Sequence, residues 1–470
     1  MLKKVVLLVS GNALGSILLL VRNLIVARLI SPENYGVAST FAISMSIVEM
    51  LSYLGLTQLI VIDKDGDEPH FMAAMHGFQV LRGTMSSLAL FLISGPYAAF
   101  LGISHVTWAY QLLALIPFIN GFQHYDTHRL RRHMKFTPTN LQSAMPPLVS
   151  VLSVWPLTLI FGDYRIMLFA LFVQAFGLVV TSHLAAERPY RLTLDRELMR
   201  KATIFGWPLL LNGMLMFGVF NGERLIVGRE LGMGQFAYFS MCFTLTLTPT
   251  LVLANSVQSL LLPQLTAARD KGDAFQRLSI TTIESSLVIG LLLVMGASLV
   301  GGPLSILLTG PKYASILQIL VPMAVLQALR VAKTGSAIVG LAIGQSSNAM
   351  VGNVVRVASL PLSWWVTIKT GDVMPIIWIG CGAEVIGYLL SMYLAAHRAK
   401  VRLGPLLLPA SLSALTCVAA LIDVHYHPPQ KTFLAHMHLG LLGVAVIGVA
   451  AFWTMTGMRH YAAVWWRQRR

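Results

Sequence analysis

Long apolar runs, separated by short segments rich in charge, proline or glycine, follow one another along almost the whole chain. A helix that crosses a membrane needs about 20 consecutive apolar residues, so each run has the length of one span. The pattern predicts about fourteen spans, near residues 5–29, 36–62, 71–95, 106–125, 139–162, 165–184, 204–228, 236–264, 278–300, 314–343, 346–367, 374–395, 405–422 and 436–456.

Composition agrees with this pattern. Hydrophobic residues make up 56% of the 470 residues, charged residues only 11%, and the mean hydropathy is +0.71. Spans and short loops use up nearly all of the chain and leave no room for a sizeable soluble domain. The predicted fold class is therefore an all-α polytopic membrane protein.

The formal charge of +15 has an explanation in topology. With the N-terminus inside, 22 Lys and Arg residues fall in the inside segments and 6 in the outside segments, and cytoplasmic loops are expected to carry this excess. Both termini are thus predicted to be cytoplasmic, and the basic loops to face anionic lipid. Nucleic-acid binding is not expected, because no basic segment has the interleaved aromatic residues of a reader domain.

A motif in the first span returns about two hundred residues later. Residues 24–28, LIVAR, align with 225–229, LIVGR, and the same offset pairs Tyr35 with Phe236. Six spans separate the copies, so both enter the membrane in the same direction, as in transporters built from two parallel repeats around a central cavity. We predict six-helix bundles at 1–203 and 204–396, followed by two additional helices and a basic cytoplasmic tail at 397–470.

Six basic residues lie inside the predicted spans. Each costs roughly 2.5–3.5 kcal/mol at a helix centre, so such a set requires partners or a hydrated cavity. Polar residues accompany them at helical spacing, with Asn12 and Asn23 near the first and Asn348 and Gly352 near the last. The candidate substrate-binding residues are Arg22, Arg82, Arg224, Arg356, Asn23 and Asn348, with Arg330 and Lys333 left open between ligand contact and a structural role.

Acidic residues within the spans are fewer. Glu49 and Glu223 are candidates either for ion pairing with the arginines or for coupling to a proton or cation, and the sequence leaves both open. The three cysteines lie in apolar spans without a paired spacing, so neither metal nor cofactor is predicted. A chamber with excess arginine favours an anionic cargo, because the guanidinium binds phosphate through two parallel hydrogen bonds.

Three stretches resemble a known family: LIVARLISPENYGVAS, FGWPLLLNGML with the following ERLIVGRELGMGQFAYFS, and LLPQLTAARDKGD. They are similar to the Wzx-type oligosaccharide flippases, the polysaccharide transporter branch of the MOP superfamily. The resemblance implies alternating access and export of an undecaprenyl-pyrophosphate-linked glycan across a bacterial inner membrane, for O-antigen, capsule or exopolysaccharide. It also implies a pyrophosphate or acidic-sugar contact at Arg22, Arg82, Arg224 and Arg356, and a partnership with a polysaccharide polymerase and chain-length machinery. The family often has Asp where this chain has Glu223.

Three alternatives remain. A lipid II flippase would have a similar span count and a cationic chamber, whereas a MATE-like cation antiporter would be richer in carboxylates. A membrane polysaccharide polymerase or ligase would carry a large outside loop with catalytic residues. No outside segment here is longer than about fifteen residues, so the chain is not expected to be an enzyme.

Overall fold

The computed structural model describes residues 2–345 and 347–467, without the side chains of residues 2–10, 12, 51, 349, 433, 434, 462 and 464–467. The side chain of Asn12 and the end of the predicted basic tail, including Arg467, Arg469 and Arg470, lie outside this description. The described chain is helical and divides into two compact units, residues 1–237 and 238–470. The predicted bundle boundaries at 203 and 396 stay predictions.

The first unit is built from ten helices of the described chain and the start of an eleventh. In it α1 packs against α8, α8 against α9, α4 against α5 and α6, and α2 against α10. The bounds are α1 Leu2–Leu29, α2 Pro32–Leu51, α3 Leu56–Ile62, α4 Pro69–Phe100, α5 Thr107–Leu113, α6 Leu115–Gly121, α7 Asp126–Arg132, α8 Thr137–Thr158, α9 Arg165–Leu184, α10 Arg196–Glu230 and α11 Gly232–Ala267, which continues into the second unit.

The second unit continues with eleven further helices in the described residues. Here α12 packs against α14 and α19, α16 against α18, α14 against α18, and α19 against α21. The bounds are α12 Gly272–Gly296, α13 Gly302–Thr309, α14 Ile316–Ala332, α15 Thr334–Ala342, α16 Ser347–Ala358, α17 Leu360–Thr370, α18 Met374–Arg398, α19 Gly404–Tyr426, α20 Phe433–His436, α21 Leu439–Thr454 and α22 Thr456–Arg467.

Eight helical segments of the described chain are long and apolar enough to cross a membrane. The chain is therefore a multi-pass membrane protein, as predicted, while the count of fourteen stays a prediction. Several predicted spans are interrupted. The run 36–62 breaks at Gly55, whose φ of +62° is left-handed, and the run 346–367 breaks at Ser359, just before Pro361 enters the first turn of α17.

The repeated motif forms the same element twice. α1 ends at Leu29 with Arg28 in its last turn, and α10 ends at Glu230 with Arg229 in its last turn. The next helix starts within three residues each time, at Pro32 capped by the Ser31 hydroxyl and at Gly232, whose φ is +80°. The aligned residues therefore build matching pairs of consecutive helices.

Glycines of the family-like motifs allow close helix packing in the first unit. A side chain at Gly36 would collide with the backbone of Met233, and one at Gly213 would collide with the carbonyl oxygen of Met50. Small residues let membrane helices approach backbone to backbone. At Gly213 this packing holds α2 against α10, and at Gly36 it brings α2 close to the first residues of α11.

Candidate functional site

Two predicted arginines of the first unit lie near one tyrosine. Arg22 on α1 and Arg224 on α10 both act electrostatically on the Tyr35 hydroxyl of α2. The tyrosine side chain is buried and hydrogen-bonds to Ser39. Tyr35 is thus near two cations that lie about two hundred residues apart in the chain.

Arg22 is buried among neutral groups. Its Nη1 donates to Ser150 Oγ on α8 at 3.0 Å and to Gln174 Oε1 on α9 at 2.5 Å, and only 4% of the residue is exposed. In the described chain no carboxylate lies within ion-pair distance of it, and its Nε has no hydrogen-bond partner there. A buried guanidinium held by neutral acceptors keeps its positive charge available to an anion.

Arg224 lies among aromatic rings from both copies of the repeat. Its guanidinium lies 5.9 Å from the centroid of Phe236, the residue that aligns with Tyr35, and it also acts on the Tyr97 hydroxyl. Nη1 donates to Asn221 Oδ1 at 3.4 Å. Aromatic faces stabilise a cation without neutralising it.

Arg82 and Glu49 form a separate pair of charged groups in the same unit. Arg82 Nη1 donates to the carbonyl oxygen of Ser52 at 2.8 Å. Its guanidinium also attracts the carboxylate of Glu49, which is an exposed residue. Within the described residues no ion pair joins them directly. Ion pairing and a coupling role therefore both stay hypotheses for Glu49.

In the second unit, three predicted cations surround one carboxylate. Glu384 on α18 is fully buried. Arg330 Nε lies 2.9 Å from its Oε1, Lys333 Nζ 2.6 Å from Oε2, and Arg356 Nε 3.5 Å from Oε1. The four groups have a formal charge of +2. We call this set the Glu384 cluster.

The Glu384 cluster joins three helical segments. Arg330 comes from the last turn of α14, Lys333 from the junction with α15, Arg356 from α16 and Glu384 from α18. Neutral groups support the arginines, since Arg330 Nη1 donates to Gln327 Oε1 at 3.1 Å and Arg356 Nη1 to Ser359 Oγ at 3.2 Å. A structural role and a role in ligand contact both stay predictions for Arg330 and Lys333.

Three further predicted residues are Asn348, Asn23 and Glu223. Asn348 Oδ1 accepts from Arg398 Nη1 at 2.7 Å, two helical turns from Arg356, and Asn23 is partly buried beside Arg22. Glu223 is buried beside Arg224. Their assignments to substrate binding and coupling stay predictions.

Sequence reasoning did not select several residues that organise the clusters. Two of them carry a signal in the sequence: Glu384 is the one carboxylate of the largely apolar α18, and Tyr35 belongs to the repeated motif. Ser150 and Gln174 carry no such signal, because their position opposite Arg22 depends on how α8 and α9 pack against α1.

A charged network also joins the loops of the first unit, outside the predicted spans. Asp126 is buried at the start of α7. Its Oδ1 accepts from Arg129 Nε at 2.5 Å, and its Oδ2 accepts from the Glu187 backbone N–H at 2.7 Å. Burial would raise the pKa of Asp126, but the hydrogen bonds from Arg129 and Glu187 outweigh it and hold that pKa below its ordinary value. This carboxylate ties two loops together.

The sequence of this chain is similar to those of known proteins. The family model described as polysaccharide biosynthesis protein matches residues 25–318. The succinoglycan biosynthesis transport protein ExoT of Rhizobium meliloti (strain 1021) is 25% identical over 244 residues, which are 51% of this chain and 48% of that protein. The match spans about half the length of this curated relative.

Solved structures share the fold. The lipid II flippase MurJ, in an inward closed conformation, superimposes with a TM-score of 0.71 over 98% of this chain and 100% of its own, at 13% identity. An inward-facing multidrug resistance MATE transporter of the MOP superfamily gives 0.68 over 81% and 95%, at 16% identity. The shared fold confirms the predicted all-α fold class. The name of the curated relative describes transport rather than catalysis, in agreement with the prediction that the chain is not an enzyme.

Proposed function

Because this chain belongs to the polysaccharide biosynthesis protein family, we propose that it flips an undecaprenyl-pyrophosphate-linked oligosaccharide across the bacterial inner membrane by alternating access. The observation that carries the proposal is Arg22, a buried cation whose hydrogen-bond partners are the neutral Ser150 and Gln174. A phosphate group would supply the opposite charge that this site lacks. The glycan would be bound through its pyrophosphate, with the lipid tail remaining in the bilayer.

The charge balance of the clusters supports an anionic headgroup. The Glu384 cluster holds three cations against one carboxylate, and Arg224 lies against aromatic faces. An organic cation, the cargo of a MATE-like antiporter, would be repelled by such sites. Arg22, Arg224 and Arg356 are the residues that we assign to phosphate contact, with Arg82 as a further candidate.

The proposed setting is the inner membrane with both termini cytoplasmic, which rests on the distribution of Lys and Arg among the loops. The lipid-linked glycan would enter from the cytoplasmic leaflet and leave in the outer leaflet. A polymerase and chain-length machinery would then act on it there. No cofactor is assigned.

The test measures lipid-linked oligosaccharide in a strain that lacks the gene. We expect undecaprenyl-linked glycan to accumulate on the cytoplasmic side, and the intact gene to clear it. Arg22→Ala should fail to clear it, whereas the control Arg165→Ala should succeed, because Arg165 is the first residue of α9 and its partly exposed side chain already pairs with Asp163 at 2.9 Å.

Other outcomes separate the alternatives. Accumulation of lipid II in place of the glycan intermediate would indicate a lipid II flippase. If no lipid-linked intermediate accumulates, the assigned cargo is wrong, and export of organic cations becomes the activity to assay. Clearance by Arg22→Ala would overturn the role of the buried arginine while leaving the family unaffected.

A further inference from the structure

The connection between α19 and α21 is rich in histidine. Residues 423–438 contain Asp423 and four histidines, at 425, 427, 436 and 438. Short histidine-rich segments are typical of metal binding, although composition alone does not make a site. The structure distinguishes these histidines from one another.

Three side chains of this segment converge. Asp423 lies in the last turn of α19, His427 is the residue that ends that helix, and His438 precedes the first residue of α21. His427 Nδ1 and His438 Nδ1 each lie 3.5 Å from Asp423 Oδ1, and the ligand atoms of all three residues lie within 4.8 Å of one another. The two imidazole rings stack with their centroids 4.5 Å apart.

These distances suit a shared ion better than direct hydrogen bonds. A nitrogen-to-oxygen hydrogen bond is usually about 2.7–3.2 Å long, so 3.5 Å is too long for a good one. Zinc binds nitrogen and oxygen at about 2.0–2.2 Å with tetrahedral geometry, which separates two ligand atoms by about 3.3–3.5 Å. The observed separations from Asp423 therefore match two edges of a coordination tetrahedron.

Two of these atoms, one on Asp423 and one on His438, are also buried. The Asp423 side chain is 9% exposed, and its Oδ1 and His438 Nδ1 are buried atoms without a hydrogen-bond partner in the described chain. Buried polar atoms without a partner are costly and are rarely retained without a reason. A cation between Asp423 and the imidazoles would satisfy both atoms.

Glycine at position 440 permits this arrangement. A side chain there would collide with Asp423 Oδ1, so the carboxylate reaches the start of α21 only because residue 440 has none. His436 holds the neighbouring backbone in place. Its Nδ1 accepts from the Gln430 backbone N–H at 3.2 Å, which leaves Nε2 to donate to the Ser298 carbonyl oxygen at 2.7 Å.

We propose that Asp423, His427 and His438 form a binding site for a divalent transition metal, with Zn²⁺ as the reference ion. Two imidazoles and one carboxylate are ligands that Zn²⁺, Co²⁺ and Ni²⁺ accept, and three protein ligands leave one position for water or an outside donor. The ion connects the end of α19 to the start of α21. It acts as a clamp on these two helices of the second unit.

Purified full-length protein tests the site directly. After removal of any polyhistidine tag and of metal by EDTA, the protein is titrated with Zn²⁺ against a chromophoric chelator, and with Co²⁺ to record the visible absorption of a tetrahedral complex. We expect one Zn²⁺ per chain and a higher Tm with Zn²⁺. Binding by the wild-type protein no stronger than by a His427→Ala, His438→Ala double variant would overturn the proposal.

Two further variants show whether geometry, rather than histidine content, controls binding. Gly440→Ala removes no ligand but displaces the Asp423 carboxylate, and we expect Zn²⁺ affinity to fall by about 10–100-fold, as when a group that positions a ligand is lost. His425→Ala is the matched control, because His425 is exposed, lies two residues from Asp423 and packs on Tyr426. It should bind Zn²⁺ like the wild type. Equal binding by wild type and Gly440→Ala, or a loss in His425→Ala as large as in His427→Ala, would contradict the assigned ligands.

Discussion

Arg330 Nε lies 2.9 Å from Glu384 Oε1, and both side chains are almost completely buried. A buried ion pair repays the cost of desolvation only with good geometry and further partners. Here the same carboxylate also neutralises part of the charge of Lys333 and Arg356, at 2.6 and 3.5 Å. Glu384 therefore connects α14, α16 and α18 through ion pairs.

Glu384→Gln should destabilise the protein strongly. It removes the one negative charge of the Glu384 cluster and leaves three buried cations, and breaking a buried pair costs about 3–5 kcal/mol. The measurement is the Tm of the detergent-solubilised protein, with Glu68→Gln, an exposed residue before α4, as the control. Adding Arg330→Gln should recover part of the loss, because it removes one of the three cations that had shared Glu384. A Tm for Glu384→Gln equal to the wild type would refute the electrostatic account.

Arg224→Ala and Arg356→Ala should each abolish glycan export while the protein still inserts in the membrane. Both remove a guanidinium that we assign to phosphate contact, one among aromatic rings and one within the Glu384 cluster. Export is measured in the deletion strain, and insertion by the amount of protein in the membrane fraction. Lysine at position 224 should restore part of the export, since it keeps the charge and loses the bidentate geometry. Full export by both alanine variants would contradict the assignment of these arginines to phosphate contact.

Asp126→Asn should lower stability at neutral pH by about 1.5–3 kcal/mol, because it weakens a charge-assisted hydrogen bond to Arg129 while leaving that arginine two more distant carboxylates, Asp67 and Glu187. Folding lowers the pKa of Asp126, so its contribution is complete above the ordinary carboxyl pKa of about 4 and is lost as pH falls through the lowered value. The difference in Tm between wild type and variant, recorded from pH 7 downward, should therefore be constant to about pH 5 and then shrink. A difference that grows on acidification would have the wrong sign.

Gly213→Ala should disturb the packing of α2 against α10. The added methyl group collides with the Met50 carbonyl oxygen, which is backbone and cannot move aside cheaply, and overpacking costs about 1–3 kcal/mol. Gly443→Ala is the control, since a side chain on α21 meets open space there. The Tm of Gly213→Ala should fall and that of Gly443→Ala should not. A fall of equal size in both would point to helix propensity rather than to packing.

Much of the fold could be predicted because the signal is local. Apolar runs, interrupted by Pro and Gly, define where helices begin and end, and α9 at Arg165–Leu184 coincides with the predicted span 165–184. The aligned pentapeptides at 24–28 and 225–229 likewise predict the matching helix pairs. The prediction missed the helix breaks at Gly55 and Ser359, which lie inside predicted spans. Such breaks are too short to lower the average hydropathy of a stretch of about 20 residues.

The sequence by itself determined the membrane class, the family-like motifs and the presence of six cations inside the apolar runs. Only the tertiary structure decided which groups those cations meet: Ser150 and Gln174 for Arg22, Tyr35 for Arg22 and Arg224, and Glu384 for the other cluster. It also decided that Asp423 lies close to His427 and His438 rather than to His425, which is nearer along the chain. The physical reason is that hydropathy and helical period depend on neighbours along the chain, whereas ion pairs and ligand sets depend on which helix faces pack together.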